Sequence, residues 1–301
     1  MNDSLLGAVE GGGTKFVCAV GYSPERVLER VVIPTGAPAA TLQTVLDFFG
    51  AAERTHGPLR ALGIASFGPL DLQPDSPSFG RLLGTPKPGW SGTDLVGAFR
   101  SRFDAEIAID TDVAGAALAE LTLGAGRGVQ SVAYVTVGTG IGGGFAPGFW
   151  VGARLLHPEV GHLRVRRHSQ DGEFAGICPF HGDCVEGLAS GPAIRARWGR
   201  ELDGLDPSHP AWAIEGHYLG QLVASIALVA SPERIILGGG VMSADRLLPH
   251  VHRAARDFLN GYLHPLNDAG ALERYICSPG LGNQAGLAGA FLLAERASTG
   301  S

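Results

Sequence analysis

Residues 5–21 read LLGAVEGGGTKFVCAVG, an apolar run, a glycine turn and a second apolar run. Residues 5–10 are predicted as a strand and 16–21 as its return, with 26–33 a third strand. Gly11, Gly12, Gly13, Thr14 and Lys15 form the turn between the first two. A dinucleotide fingerprint runs from strand through turn to helix, and a Walker A loop has a different glycine–lysine spacing, so neither fits. The stretch reads as a hairpin whose exposed amides and hydroxyl can meet phosphates, with a hairpin that merely turns as the competing reading. The same logic returns at 131–146: a strand over 131–137, a turn of Gly138, Thr139 and Gly140, and a strand over 141–146. Two α/β lobes that each open on such a hairpin predict a duplicated fold with its ligand cleft between the lobes.

Between the hairpins, Leu42, Val45, Leu46 and Phe49 recur at helical spacing within 39–49. A strand over 59–65 and a turn over 66–71 follow. Residues 71–91 hold four prolines and little periodicity, a long loop of the kind that is functional or disordered. Leu95, Val96, Phe99 and Phe103 mark a helix face. The strand at 105–109 ends in Asp110-Thr111-Asp112, and an Ala/Leu-rich helix follows. Further on, 187–198 and 211–229 read as helices. A strand at 234–237 runs into Gly238-Gly239-Gly240, with helices over roughly 243–259 and 283–293.

A chain of 301 residues suits two lobes better than one. It has 46 glycines, and the excess over ordinary usage is concentrated in EGGGTK, VGTGIGGG, LGGG and LGNQAG, which points to repeated close approach of backbone to ligand. A net charge of −6 without a long Lys/Arg run counts against nucleic-acid binding. Arg164, Arg166 and Arg167 read as solvated loop charge. The start MNDSLLGAVEGGG lacks a basic region and a long apolar run, so no signal peptide is expected. The apolar runs fall short of the ~20 residues that span a bilayer, and no membrane partner is expected. Cys18 and Cys277 read as buried strand residues, so a cytoplasmic chain without disulfides is expected.

HPEVGH (157–162) and CPFHGDCVEG (178–187) place His162, Cys178, His181 and Cys184 at metal-ligand spacing. Two thiolates and two imidazoles suit a tetrahedral Zn²⁺ closed to solvent chemistry. The alternatives are two buried thiols with satisfied histidines, or a catalytic zinc, which four protein ligands disfavour. His157, His168 and His252 read as ordinary polar histidines.

At EGGGTK, TDVAGAAL, VGTGIGGG, HPEVGH, CPFHGDCVEGLASGPA and LGGGVM the chain resembles the ROK sugar kinases, and within them the bacterial fructokinase branch. The resemblance runs from Leu5 to about Leu293. It implies the actin-like ATPase (ribonuclease H-like) fold, α/β with two similar lobes and an interlobe cleft. The first lobe would be 1–118 completed by the last helix, 286–301; the second, 119–285, would carry the zinc loop 157–186. It further implies Mg²⁺ and ATP as donor, a hexose acceptor, a structural Zn²⁺ and a homodimer. The reaction implied is phosphorylation of D-fructose to fructose 6-phosphate, with glucose, mannose or an N-acetylhexosamine as the alternative acceptor.

Carried over residue by residue, Asp112 matches the catalytic base, where a carboxylate can accept the hydroxyl proton as oxygen attacks phosphorus in line. Asp110 competes in principle, and an aspartate that only caps a helix is the bland reading. The chain departs from the family in having Ala114 for an asparagine and Thr111 before the base, which bears on sugar range; Thr111 can still bond a sugar hydroxyl. Gly11, Gly12, Gly13, Thr14, Lys15, Gly138, Thr139 and Gly140 would surround the ATP phosphates. Gly238, Gly239, Gly240, Val241 and Met242 would lie against adenosine, with Ala189, Ser190 and Pro192 nearby. Mg²⁺ would be held mostly by phosphate, with water between it and acids such as Glu10 or Asp112. Glu159, His162 and Glu186 match residues at the hexose, and Gly68 would close the opposite wall. The zinc then acts as a brace that fixes Glu159 and Glu186, with His162 shared between metal and sugar wall. The family also holds sugar-responsive repressors with a preceding helix-turn-helix, for which the four residues before the first strand leave no room. A non-enzymatic sugar sensor is argued against by Asp112.

Overall fold

The computed structural model describes residues 4–147, 156–268 and 270–300, which divide into two compact units. The first holds 4–119, 156–157 and 284–300, and the second 120–147, 158–268 and 270–283.

The first unit is built on a five-stranded sheet of order β3-β2-β1-β4-β5, comprising β1 (Leu6–Gly11), β2 (Lys15–Ser23), β3 (Arg26–Pro34), β4 (Ala61–Ser66) and β5 (Glu106–Thr111). β1 pairs antiparallel with β2 and parallel with β4, and β4 runs parallel to β5. β4 is buried along its whole length and β1 nearly so, hence their near-continuous apolar sequences. Helices α1 (Pro38–His56), α2 (Leu95–Arg100) and α3 (Asp112–Leu123) follow in the chain. The C-terminal helix α9 (Ala285–Thr299) packs on β1, β4 and β5. Small residues set that approach: a Cβ on Gly63 of β4 would lie 1.9 Å from the Ala290 carbonyl oxygen. Within the core, Phe49 meets Phe99 and Phe103 edge-on, and Trp90 stacks on Phe16.

The loop 71–91 is ordered around its polar groups. Asp71 accepts from the hydroxyls of Ser76 and Ser78, both at 2.5 Å, which holds its carboxyl below the usual range. Antiparallel bridges tie Leu70 to Leu82 and Arg81 to Asp94.

The second unit repeats the strand plan. Its sheet has the order β7-β6-β8-β9, from β6 (Val132–Val137), β7 (Ile141–Ala146), β8 (Arg234–Gly238) and β9 (Ile276–Cys277). β6 pairs antiparallel with β7 and parallel with β8, and β8 runs parallel to β9, as β1 does with β2 and β4, and β4 with β5. Helices α4 (Val185–Ala189), α5 (Gly191–Trp198), α6 (Ala211–Ala230), α7 (Leu247–Leu259) and α8 (Ala271–Tyr275) complete it. By length and composition α6 passes as a membrane span, but it is mostly buried against α7 and α4, and fully buries Glu215.

Several expectations are corrected here. The predicted helix 187–198 is two helices, because Pro192 has no N–H to give Leu188 and its ring excludes the preceding turn. Ser190 between them is extended (φ −72°, ψ 161°), and its hydroxyl caps α5 by accepting from the Ala193 N–H. The helix expected from 243 begins at Leu247, after a 3-10 turn at Gly240–Ser243. His162 lies on a 3-10 turn, Val160–His162, and not on a strand. Of the basic cluster, Arg164 and Arg166 are exposed, as expected of loop charge, with Arg164 pairing with Asp183 at the surface; Arg167 differs in donating to the carbonyls of Asp171 and Phe174.

Behind that loop lies a buried charge group. Arg197 sits 3.0 Å from both Asp171 and Glu215, and Tyr218 donates its hydroxyl proton to Asp171. Burial pushes the Glu215 carboxyl upward against the pull of Arg197. Glu120, fully buried at the far end of α3, accepts from three amides: Ala125 (2.7 Å), Gly280 and Leu281 (2.9 Å each).

Candidate active site

In the first unit Asp112 opens α3 and does not end the strand before it. Capping falls to Thr111, whose buried hydroxyl accepts from the Ala114 N–H at 3.2 Å. That leaves the Asp112 carboxylate, among the described residues, with the adjacent Val113 N–H, at 2.9 Å, as its hydrogen bond from another residue. Burial raises its pKa to about 6, which makes it a stronger base than an ordinary aspartate while leaving it ionised at neutral pH. Glu10 is raised too, first by burial and then by the charge of Asp112. The N–H of Leu287, in the first turn of α9, holds Glu10 and partly offsets that rise. A buried carboxylate raised by the charge of a second one is an environment a divalent cation relieves.

The turn after β1 is closed by Gly12 N–H donating to Lys15 O at 2.9 Å. The end of β3 holds it as well, with Thr35 donating its hydroxyl to Gly12 O (2.8 Å) and its N–H to Thr14 O (3.0 Å). Lys87 donates from Nζ to Gly13 O. Gly68 meets His157, where a Cβ would lie 2.9 Å from Nε2, the atom that accepts from the Leu70 N–H. Thus His157, read as an ordinary polar residue, backs the Gly68 turn.

In the second unit the Gly138–Gly140 turn is closed by Gly138 N–H to Gly140 O (2.9 Å), and the start of α5 docks on it through Gly191 N–H to Gly138 O (2.8 Å). A cavity of about 400 Å³ opens there, lined in part by Gly138, Thr139, Gly191, Pro192, Gly240 and Val241. Its other wall, with Arg195, Glu201 and Asp203, has no motif that marks it in sequence. Ala189 and Ser190 are buried beneath α5 and do not line it; Gly140, Gly238, Gly239 and Met242 also lie outside its lining. Gly239 instead makes the turn after β8 possible: its φ is +93°, and a Cβ would lie 2.4 Å from the Val137 carbonyl.

Glu159 is exposed and precedes the turn that carries His162. Glu186, in the first turn of α4, accepts from the Ile141 N–H at 2.9 Å, so one of its oxygens is fixed to the second glycine turn. This link between the His/Cys segment and the hairpin spans 45 residues of sequence.

The ligand atoms of His162, Cys178, His181 and Cys184 lie within 4.8 Å of one another. Cys184 Sγ is 3.5 Å from His162 Nδ1, and Cys178 Sγ is 3.6 Å from His181 Nδ1 and 3.8 Å from His162 Nδ1. Zn–S bonds of about 2.3 Å and Zn–N bonds of about 2.0–2.1 Å at tetrahedral angles require S···N edges of about 3.6 Å, so the donor set fits the ion. Burial and the neighbouring Cys178 thiol push the Cys184 thiol up to about 11, and a bound cation reverses that bias.

A hairpin with a glycine turn, extended by parallel strands and present once in each unit, is the strand plan of the actin-like ATPase fold. A ROK hexokinase from Thermus thermophilus superposes with a TM-score of 0.75 at 26% identity, covering 99% of this chain and 100% of that one. The ROK family model matches residues 6–297, and the chain belongs to that family. A fructokinase from Zymomonas mobilis is 44% identical over 293 residues, 96% of each chain. A fructokinase from Pediococcus pentosaceus is 40% identical over 293 residues, 97% of this chain and 98% of that one.

Proposed function

We propose that the chain is an ATP-dependent kinase that converts D-fructose to fructose 6-phosphate. The observation that carries this reading is Asp112, a carboxylate raised to about 6 and relieved of capping by Thr111. Similarity to fructokinases over nearly the whole chain supports fructose above other hexoses. Asp112 accepts the proton of the 6-hydroxyl as its oxygen attacks the γ-phosphorus. The turns Gly11–Lys15 and Gly138–Gly140 offer backbone N–H groups to phosphate oxygens, and the cavity beside Gly191 and Gly240 takes the nucleoside. Glu10 and Asp112 are the acids that would serve Mg²⁺, which would supply neutralisation of phosphate charge when bound.

In the second unit Glu159, His162 and the second oxygen of Glu186 are assigned to sugar hydroxyls, and in the first unit Gly68 and Thr111 are. His162, Cys178, His181 and Cys184 would hold a structural Zn²⁺, which would fix Glu159 and Glu186 in place. The first lobe, 1–118 with 286–301, and the second, 119–285, act as the two halves of the kinase. The chain works as a cytoplasmic homodimer, a reading supported by family membership and tested by light scattering for the dimer. ³¹P NMR of the purified protein with Mg·ATP and fructose should show fructose 6-phosphate formed one for one with ADP. ADP without a sugar phosphate, or no reaction, contradicts the assignment.

A further inference from the structure

Lys87 lies in the proline-rich loop and has no role in the mechanism above. We propose that Lys87 is a catalytic residue whose ammonium contacts the transferring phosphoryl group at the Gly11–Lys15 turn. The proposal rests on the kinase reading and adds a cation to it.

The loop holds this lysine in place. Pro86 and Pro88 flank it and fix φ on both sides. Its N–H donates to Thr85 Oγ1 at 3.3 Å, and its carbonyl accepts from the Trp90 N–H at 3.2 Å. Trp90 is 0% exposed and donates its indole N–H to Gly36 O at 3.0 Å. Its ring stacks on Phe16, whose strand leaves the glycine turn, and meets Phe67 edge-on, both at 5.4 Å. The tryptophan therefore clamps the lysine's backbone to the strand that carries the turn.

The side chain reaches that turn, with Nζ 2.5 Å from Gly13 O. An ammonium has three donors, and this bond uses one. A Cβ built on Gly13 meets nothing within 4 Å, so there is open space at the turn for a phosphate. Lys15, on the same turn, is exposed, whereas Lys87 is half-buried and anchored. Tying a loop to a carbonyl needs no charge, and ordering a lysine costs rotamer entropy. A fixed point charge is what phosphoryl transfer uses. As the sugar O6–phosphorus bond forms, the bond from phosphorus to the β,γ-bridging oxygen breaks and its electron pair leaves with ADP. The hydroxyl proton goes to Asp112, and Lys87 neutralises charge on the non-bridging oxygens.

The test compares Lys87→Met, Lys87→Gln and Lys87→Arg in the full chain. Met and Gln should lower kcat by about 100-fold or more with fructose KM changed less than about threefold, and Arg should recover part of the rate. Glutamine can keep the bond to Gly13 without the charge, so wild-type turnover in Lys87→Gln overturns the proposal. Tripolyphosphate binding by calorimetry gives a readout independent of turnover. Met and Gln should weaken it about tenfold with unchanged Tm, and an unchanged Kd in both overturns the phosphate contact. Failure of the wild type on every hexose would instead remove the kinase reading, while the tripolyphosphate result still decides whether Lys87 meets phosphate.

Discussion

Replacing Asp112 by asparagine should make the protein inactive and more stable at once. The carboxyl has little exposure, and burial raises it from 3.8 to about 6. The sign follows from linkage: an acid whose pKa is higher in the folded state costs stability when ionised. The cost is absent below the unfolded value, grows between the two, and is complete above the folded one. The full gap is worth roughly 3 kcal/mol at 1.36 kcal/mol per pH unit, falling to roughly 1.5 kcal/mol at pH 5. Asparagine removes the charge at nearly constant volume and also relieves Glu10, which the Asp112 charge raises. For a chain of 301 residues, 3 kcal/mol corresponds to about 5 °C in Tm. Denaturation of both proteins at pH 7.5 and pH 5 should show Asp112→Asn more stable at both, with the smaller difference at pH 5. Turnover should fall by about 10²–10⁴-fold with fructose binding retained, and the wild-type kcat/KM should lose activity as pH falls through about 6. A variant no more stable than wild type, or a difference independent of pH, would refute the reasoning about burial; normal turnover would refute the base.

Three further outcomes are expected. Metal analysis should find about one zinc per chain, and chelation or Cys184→Ala should raise fructose KM severalfold with ATP KM nearly constant, measured by steady-state kinetics. Arg197→Met leaves buried Glu215 without its cation and Asp171 with only the more distant Arg167 at 3.7 Å, and denaturant unfolding should show a loss of about 3–5 kcal/mol. Glu120→Gln turns one acceptor oxygen into an N–H₂ group facing an amide, at a cost of about 1–3 kcal/mol by the same assay.

The strand plan was legible because both hairpins combine short apolar runs with a glycine turn, a local signal that tertiary context does not override. The metal donors were legible for a similar reason: three of the four lie within seven residues. Contacts between distant residues were not. Nothing near Glu186 in sequence announces its bond to Ile141, and nothing near Arg197 or Glu215 announces that their side chains are 5% and 0% exposed. The break at Ser190 was available from Pro192 alone, and apolar spacing across it masked the signal. β9 has two residues, too few for any periodicity. Lys87 carries no mark in sequence, because the clamp that orients it is Trp90 against Phe16 and Gly36, contacts between separate segments.

The most direct test of the central claim is kcat/KM for fructose, glucose, mannose and N-acetylglucosamine with Mg·ATP, measured side by side through ADP release. Fructose should exceed each of the others by about tenfold or more, a difference of roughly 1.4 kcal/mol in transition-state binding. A higher kcat/KM for any other hexose would contradict the fructokinase assignment.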